Sequence, residues 1–298
     1  MKVTILGNSS ALPAYGRFPT AQIVNIDEQL FLVDCGEGTQ IRLQEYAIRK
    51  NRIHHIFISH MHGNHYFGLV GLISSFSLLG RQADLHLYAP AELQPILSLQ
   101  LPWELGFTLH FHPIELAYRG VLVDTEKIQI STFPVFHSIP TQGFLFVEKK
   151  RKRKLLDEKL REYEIPTYFY KRLAEGEDYT NKAGDTIPNA LLTKEGDTPK
   201  SYAYCADTIY NPAIIDDIRH VSMLYHEATY LSDNQDKATS RYHSTAAQAA
   251  HIAHAANVGK LIIGHFSSKY KDLEPFLTEA QSFFSPTSLA LEGNVFDV

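Results

Sequence analysis

Four apolar runs in this chain each end on a histidine or an aspartate. IFIS (56–59) leads into His60, ISTFPVF (130–136) into His137, SYAYCA (201–206) into Asp207 and KLIIG (260–264) into His265. Short runs of this kind, rich in β-branched and aromatic residues, read as strands. In α/β sheets the carboxyl ends of neighbouring strands open into one shared crevice, so side chains just past those ends can converge. That requirement restricts the fold strongly, because the strands must share sheets and finish on the same edge. Imidazole nitrogens with carboxylate oxygens are a donor set that suits zinc, with manganese or iron where oxygens dominate.

A single histidine at a strand end is more often an ordinary loop residue, and the chain has 15 histidines. The segment HMHGNH (60–65) is harder to explain by structure alone. Three neighbouring imidazoles contribute no core and cost solvation when buried. His60, His62 and His65 therefore point to a cation.

The rest of the chain alternates strand and helix. VTILG, AQIVNI and QLFLVDCG read as strands, TQIRLQEYAIR as a helix, IHHIFIS as a strand and GLVGLISSFSLLG as a largely apolar helix. ADLHLYAP is a further strand and PAELQPILSL a further helix. In the second half VLVDTEKIQISTFPVFH, TQGFLFVEKK, KSYAYCAD, VSMLYHEATY and KLIIGHFSS read as strands. STAAQAAHIAHAANVG is a helix begun by Ser244 or Thr245 and stopped by Gly259. This alternation predicts an α/β layered protein, and its two successive halves suit a pseudo-symmetric sandwich. Residues 149–200 differ in character. Lys149, Lys150, Arg151, Lys152, Arg153 and Lys154 open a charged amphipathic helix, LLDEKLREYE, followed by the aromatic IPTYFYKRL and a polar loop. The segment reads as an arm inserted into one domain spanning 1–298.

With 298 residues, 44% hydrophobic and 20% charged, the chain can bury a substantial core. No apolar run approaches the roughly 18 residues of a membrane span. The start, MKVTILGNSSALP, reads as strand and turn rather than a signal peptide, so a cytoplasmic protein with no membrane partner is expected. Cys35 and Cys205 each sit in or beside an apolar run and are expected to be buried, reduced thiols. A net charge of -5 does not advertise a nucleic-acid binder. The basic run 149–154 is nevertheless a local patch able to contact phosphates, its plainer reading being a solvated helix face.

The motifs also carry a resemblance. SHMHGNH (59–65) resembles the HxHxDH signature of the metallo-β-lactamase superfamily. DCGEGTQ (34–40), FHSIPTQGF (136–144), CADT (205–208), HEATY (226–230), YHSTAAQAA (242–250) and GHFSSKY (264–270) occur in the order found in the ribonuclease Z family, across nearly the whole chain. The resemblance implies a four-layer αββα sandwich with a projecting arm, hydrolytic removal of the 3′ trailer of precursor tRNA, two zinc ions per subunit, and a homodimer. It implies that His60, His62 and His137 hold one metal, that His65, His265 and residue 64 hold the other, and that Asp207 bridges them. Asp34 would orient a ligand histidine through its second ring nitrogen. His243 would pass a proton to the departing oxygen, with Glu227 orienting or charging it, and the arm would grip tRNA. His226 is expected to support the site without ligating.

Asn64 departs from the pattern, since the family carries aspartate there. Asparagine is nearly isosteric but uncharged; it is a poor ligand and cannot take a proton from water. General-base help is worth about 10²- to 10⁴-fold, so a loss of that order and a weaker second metal are expected. The arm departs too, reading EYEIPTYFYKRL where the family's often has a Gly-Pro-rich tip. Two other functions stay open: a small-molecule phosphodiesterase of the same fold, and a non-catalytic RNA-binding relative.

Overall fold

The structure, a computed structural model, describes residues 1–102, 104–149 and 151–298. Backbone contacts divide them into two compact units, one of residues 1–123, 130–146 and 201–298, the other of residues 124–129 and 147–200.

In the first unit, one seven-stranded sheet sets β1 (Lys2–Gly7), β2 (Ala21–Ile26), β3 (Gln29–Val33), β4 (Ile53–Phe57), β5 (Leu85–Pro90) and β6 (Leu109–Ile114) side by side in chain order. β3 to β6 are parallel, so their carboxyl ends share one edge. A second seven-stranded sheet contains β7 (Gly120–Asp124), β8 (Ile128–Val135), β9 (Thr141–Glu148), β10 (Ser201–Cys205), β11 (Met223–Glu227), β12 (Lys260–Gly264) and β13 (Thr287–Leu289). β10 to β13 are again parallel. The last strand, β14 (Val295–Asp297), returns to pair with β1.

Helices α1 (Thr39–Glu45), α2 (Leu69–Leu78) and α3 (Leu93–Gln100) cover the first sheet, burying Leu43, Leu72, Phe76 and Leu97 against Leu32, Ile56 and Leu87. Helices α4 (Ala246–Ala255) and α5 (Glu274–Gln281) cover the second through Ala249, Ala253 and Phe276. The sheets face each other through aromatic rings: Phe31 lies 5.9 Å from Phe146, and Phe57 lies 5.4 Å from Phe144. The layers are therefore helix, sheet, sheet, helix. Strands buried on both faces carry near-continuous apolar runs, which is why the sequence marks them so clearly.

Several boundaries differ from the sequence reading. VLVDTEKIQISTFPVFH is two strands, because Thr125 Oγ1 accepts the backbone N–H groups of Lys127 and Ile128 and folds the chain into a turn. α1 stops at Glu45 with Ala47 in the left-handed region at φ 53°. α4 is capped by Thr245, where a capping box with Gln248 satisfies free N–H groups at the helix end. It ends at Ala255, capped by Ala256 and not by Gly259, because Asn257 turns left-handed at φ 51°. Gly259 has another role, since a Cβ there would stand 2.5 Å from the Ser222 carbonyl oxygen. The sequence reading missed β6, α5 and the last two strands.

One face of the first sheet carries a ladder of rings. His55, His86 and His110 sit in register on β4, β5 and β6. Phe31 stacks on His55 at 5.5 Å, His55 on His86 at 5.0 Å and His86 on His110 at 4.6 Å.

In the second unit, Lys154–Leu155 pairs with Thr193–Lys194, and a small core gathers Leu160, Phe169, Leu173 and Leu192. The basic run does not open a helix: the helix starts at Asp157, whose acidic first turn suits a helix N-terminus. The run instead meets carboxylates of its own unit. Lys149 pairs with Asp124 at 2.5 Å, Lys152 with Glu175 at 2.9 Å, Lys154 with Asp197 at 2.6 Å, and Arg153 with Glu195. Arg151 stands 3.6 Å from Glu148, and Lys150 lies outside the described residues. Cys35 and Cys205 are buried and unbridged. Among the described residues no helix is long and apolar enough to cross a membrane.

Candidate metal centre

The strand ends deliver their side chains by distinct local devices. After β4 the chain runs through Ser59 and His60, then turns in a 3-10 segment, Gly63–His65, that brings the His65 ring within 4.0 Å of the His60 ring. Asp34 directly follows β3 at φ 55°, and His265 directly follows β12 at φ 62°. Such left-handed backbone is uncommon outside glycine and tends to gather at functional sites.

Asp207 stands between two groups of histidines. His60 Nε2 and His137 Nε2 each lie 3.7 Å from its Oδ2. His62 Nδ1 completes that group at 3.1 Å from His60 Nε2 and 3.2 Å from His137 Nε2. His65 Nε2 and His265 Nε2 lie 3.3 and 3.0 Å from the other oxygen, Oδ1. In each group, the ligand-type atoms fall within 4.8 Å of one another.

These residues fit a pair of cations on grounds internal to the fold. Asp207, His60, His65, His137 and His265 are all buried, and neither His65 Nε2 nor Asp207 Oδ1 makes a hydrogen bond. Buried polar atoms left so are costly unless something else satisfies them. Burial opposes charge on His65, yet Asp207 and Asp34 outweigh it and raise its pKa to about 10, a sign of how strongly this position attracts positive charge. Burial holds His60 well below the usual imidazole value and His265 down at about 4, leaving neutral rings with a lone pair to offer.

The outward nitrogens are fixed as well. Asp34, fully buried, accepts from His65 Nδ1 at 2.7 Å, the Ser59 backbone N–H at 2.8 Å, Ser59 Oγ at 3.0 Å and Tyr204 Oη at 2.6 Å. Ser59 Oγ also meets His60 Nδ1 at 2.9 Å, so one carboxylate orients one imidazole directly and a second through a hydroxyl. His137 Nδ1 donates to the Tyr242 carbonyl oxygen at 2.8 Å. His265 Nδ1 meets Thr229 Oγ1 at 3.0 Å, and that hydroxyl donates to Glu227 Oε2 at 2.6 Å. Contacts of this kind set which ring nitrogen keeps its proton and which faces a cation.

Beside the histidines, a cavity of about 450 Å³ is lined in part by Asn64, Asp207, Arg241 and His243. His243 Nδ1 donates to Glu227 Oε1 at 2.7 Å. Burial would depress His243, but the Glu227 carboxylate overrides it and raises the imidazole to about 9. Glu227 itself is filled by His243, the Thr208 and Thr229 N–H groups and the Thr229 hydroxyl, so it has no oxygen to spare for a cation. Asn64 is half-buried, with Nδ2 3.5 Å from His265 Nε2. His226 is fully buried and turns its Nδ1 to the Glu227 carbonyl oxygen at 2.7 Å. Lys149 and Arg151–Lys154 belong to the second compact unit.

Comparison with known proteins fits this geometry. A family model described as "Anti-Pycsar protein Apyc1" matches residues 1–152. A protein of Bacteroides thetaiotaomicron named ribonuclease Z is 43% identical over 292 residues, covering 97% of this chain and 92% of that protein. The chain belongs to the ribonuclease Z family. Its fold is similar to the crystal structure of the short form of human tRNase Z, with a TM-score of 0.72 and 24% identity over 100% of this chain and 99% of that one. It is also similar to the metallo-β-lactamase fold protein YhfI from Bacillus subtilis, with a TM-score of 0.71 and 18% identity over 99% and 98% of the two chains. This member of the ribonuclease Z family therefore has the metallo-β-lactamase fold.

Three hydroxyls of the site escaped the sequence reading: Ser59, Thr229 and Tyr204. Each occupies a strand or strand end where a small or aromatic residue is unremarkable. Only their places inside the motifs SHMHGNH and HEATY hint at Ser59 and Thr229.

Proposed function

We propose that this chain is a zinc-dependent endoribonuclease that removes the 3′ trailer of precursor tRNA by phosphodiester hydrolysis. The observation that carries this reading is Asp207, each of whose oxygens faces its own histidine group, in a chain of the ribonuclease Z family. His60, His62, His137 and Asp207 would hold one zinc, and His65, His265 and Asp207 the other, with little help from Asn64. Zinc in such a pair supplies a nucleophile from water near neutral pH and offsets phosphate charge.

The chain's own residues do the rest. Asp34, Ser59 and Thr229 hold the ligand rings so that their lone pairs face inward. His243, kept protonated by Glu227, gives a proton to the departing oxygen. Asn64 cannot receive the proton that an aspartate would take, so turnover is slow. The protein works in the cytoplasm as a homodimer. It is one metallo-β-lactamase-like domain, residues 1–298, with a basic arm at about 149–200 that grips tRNA phosphates.

A second reading, a phosphodiesterase acting on small molecules, is favoured by one observation: the described members of the basic run stand beside carboxylates of their own unit. Cleavage of precursor tRNA and of a cyclic nucleotide, measured side by side with zinc content per chain, decides. Cleavage of the cyclic nucleotide alone would sink the ribonuclease proposal.

A further inference from the structure

A second cavity, of about 220 Å³, adjoins the metal centre, and none of the chemistry above uses it. Its walls include Met61, Ile114, Leu116 and Ile139, with Glu92 and Glu115. The two cavities share loops. Met61 stands between His60 and His62, and Ile139 lies one residue beyond Ser138, which lines the first cavity. Ile114 closes β6 and Glu92 follows β5, so this cavity is built on the same carboxyl edge of the first sheet as the histidine loop.

Its chemistry is mixed in a particular way. The interior is mostly aliphatic, with the buried polar side chains Ser59 and Gln142 among its walls, while Glu92 and Glu115 are exposed carboxylates. Such a lining repels phosphate and suits an uncharged ring whose edge carries N–H donors. Single-stranded RNA ends are read in this manner, with a base splayed out, packed between side chains and hydrogen-bonded along its edge.

We infer that this cavity receives the base of a nucleotide adjoining the scissile phosphate, and that it favours bases bearing an exocyclic amino group. The inference rests on the ribonuclease reading and deepens it. Cytosine, adenine and guanine present an amine to Glu92 or Glu115; uracil presents a carbonyl oxygen and leaves a carboxylate facing an acceptor.

The test uses the full chain loaded with zinc and precursor tRNAs carrying 2-aminopurine at the nucleotide on either side of the cleavage point. Binding is followed by anisotropy, and the local environment by 2-aminopurine emission. Emission should change at one of the two positions. Leu116→Trp, at a residue 64% exposed, should fill the cavity and abolish that change without unfolding the protein. A paired Glu92→Gln, Glu115→Gln variant should keep binding but lose the preference for cytidine over uridine, expected at about tenfold in kcat/KM from one hydrogen bond. Tight tRNA binding with no emission change, or a change that survives Leu116→Trp, overturns the base pocket alone. Failure to bind any precursor tRNA overturns the ribonuclease reading together with it.

Discussion

Replacing Asp34 with asparagine tests how the centre is tuned. Oδ1 accepts a backbone N–H from Ser59 that cannot reverse, so the asparagine carbonyl oxygen must stay there. The amide nitrogen then takes the place of Oδ2, facing His65 Nδ1, Tyr204 Oη and Ser59 Oγ. Both hydroxyls can rotate to accept from it, but a His65 Nδ1–H cannot. The ring must shift its proton to Nε2, the atom 3.3 Å from Asp207 Oδ1, and there it has no lone pair left for a cation. Loss of a supporting carboxylate costs about 10- to 100-fold in metal affinity, or about 1.4 to 2.7 kcal/mol. Without these charge-assisted hydrogen bonds the metal-free protein should also be less stable by about 1 to 3 kcal/mol. Zinc titration against a coloured chelator should show one site weakened by that amount and the His60–His62–His137 site changed less. If Asp34→Asn folds and binds both zinc ions as tightly as the parent, the tautomer mechanism is wrong.

Asn64→Asp should raise cleavage of precursor tRNA by about 10²- to 10⁴-fold, the worth of a general base, and no gain would clear residue 64 of blame. Glu227→Gln removes the charge that raises His243 to about 9 against burial, so the imidazole's pKa falls. As an acid His243 works while protonated and loses activity as pH rises through its pKa, so the alkaline limb of the rate profile should move to lower pH; a limb that stays put excludes His243 from that role. Changing Lys149, Lys152, Arg153 and Lys154 to glutamine should flatten the salt dependence of tRNA binding by about 0.7 to 0.9 for each phosphate that the arm no longer neutralises, while leaving small phosphodiesters untouched. An unchanged slope would place the RNA elsewhere.

Much of the layered fold could be read from the chain because buried parallel strands are continuous apolar runs that end abruptly on polar ones. IFIS before His60 and KLIIG before His265 are of this kind, and the structure brings their ends together around Asp207. β6 was invisible because LHFHPI alternates histidine with apolar residues at an exposed edge. Asp34 came only from motif resemblance, since its role depends on donors 25, 31 and 170 residues away in sequence. The basic run reads as the opening of a helix, although the helix begins only at Asp157, because a string of like charges says nothing of its partners, and Glu175, Glu195 and Asp197 lie well downstream.

The stacked imidazoles of the first sheet make that face an acid-sensitive seam. Burial, helped by its histidine neighbours, holds His55 down at about 4, and burial also depresses His86 and the β6 residue His112, whose ring stacks on His86 at 5.2 Å. The unfolded chain, with ordinary imidazoles, therefore takes up protons first as pH falls below about 6.5. The share of folding stability that these neutral imidazoles contribute is complete above that value and drains away down to about pH 4 as protonation favours the unfolded chain. Mild acidification should thus loosen β4, β5 and β6, and with them the His60–His65 loop that hangs from β4.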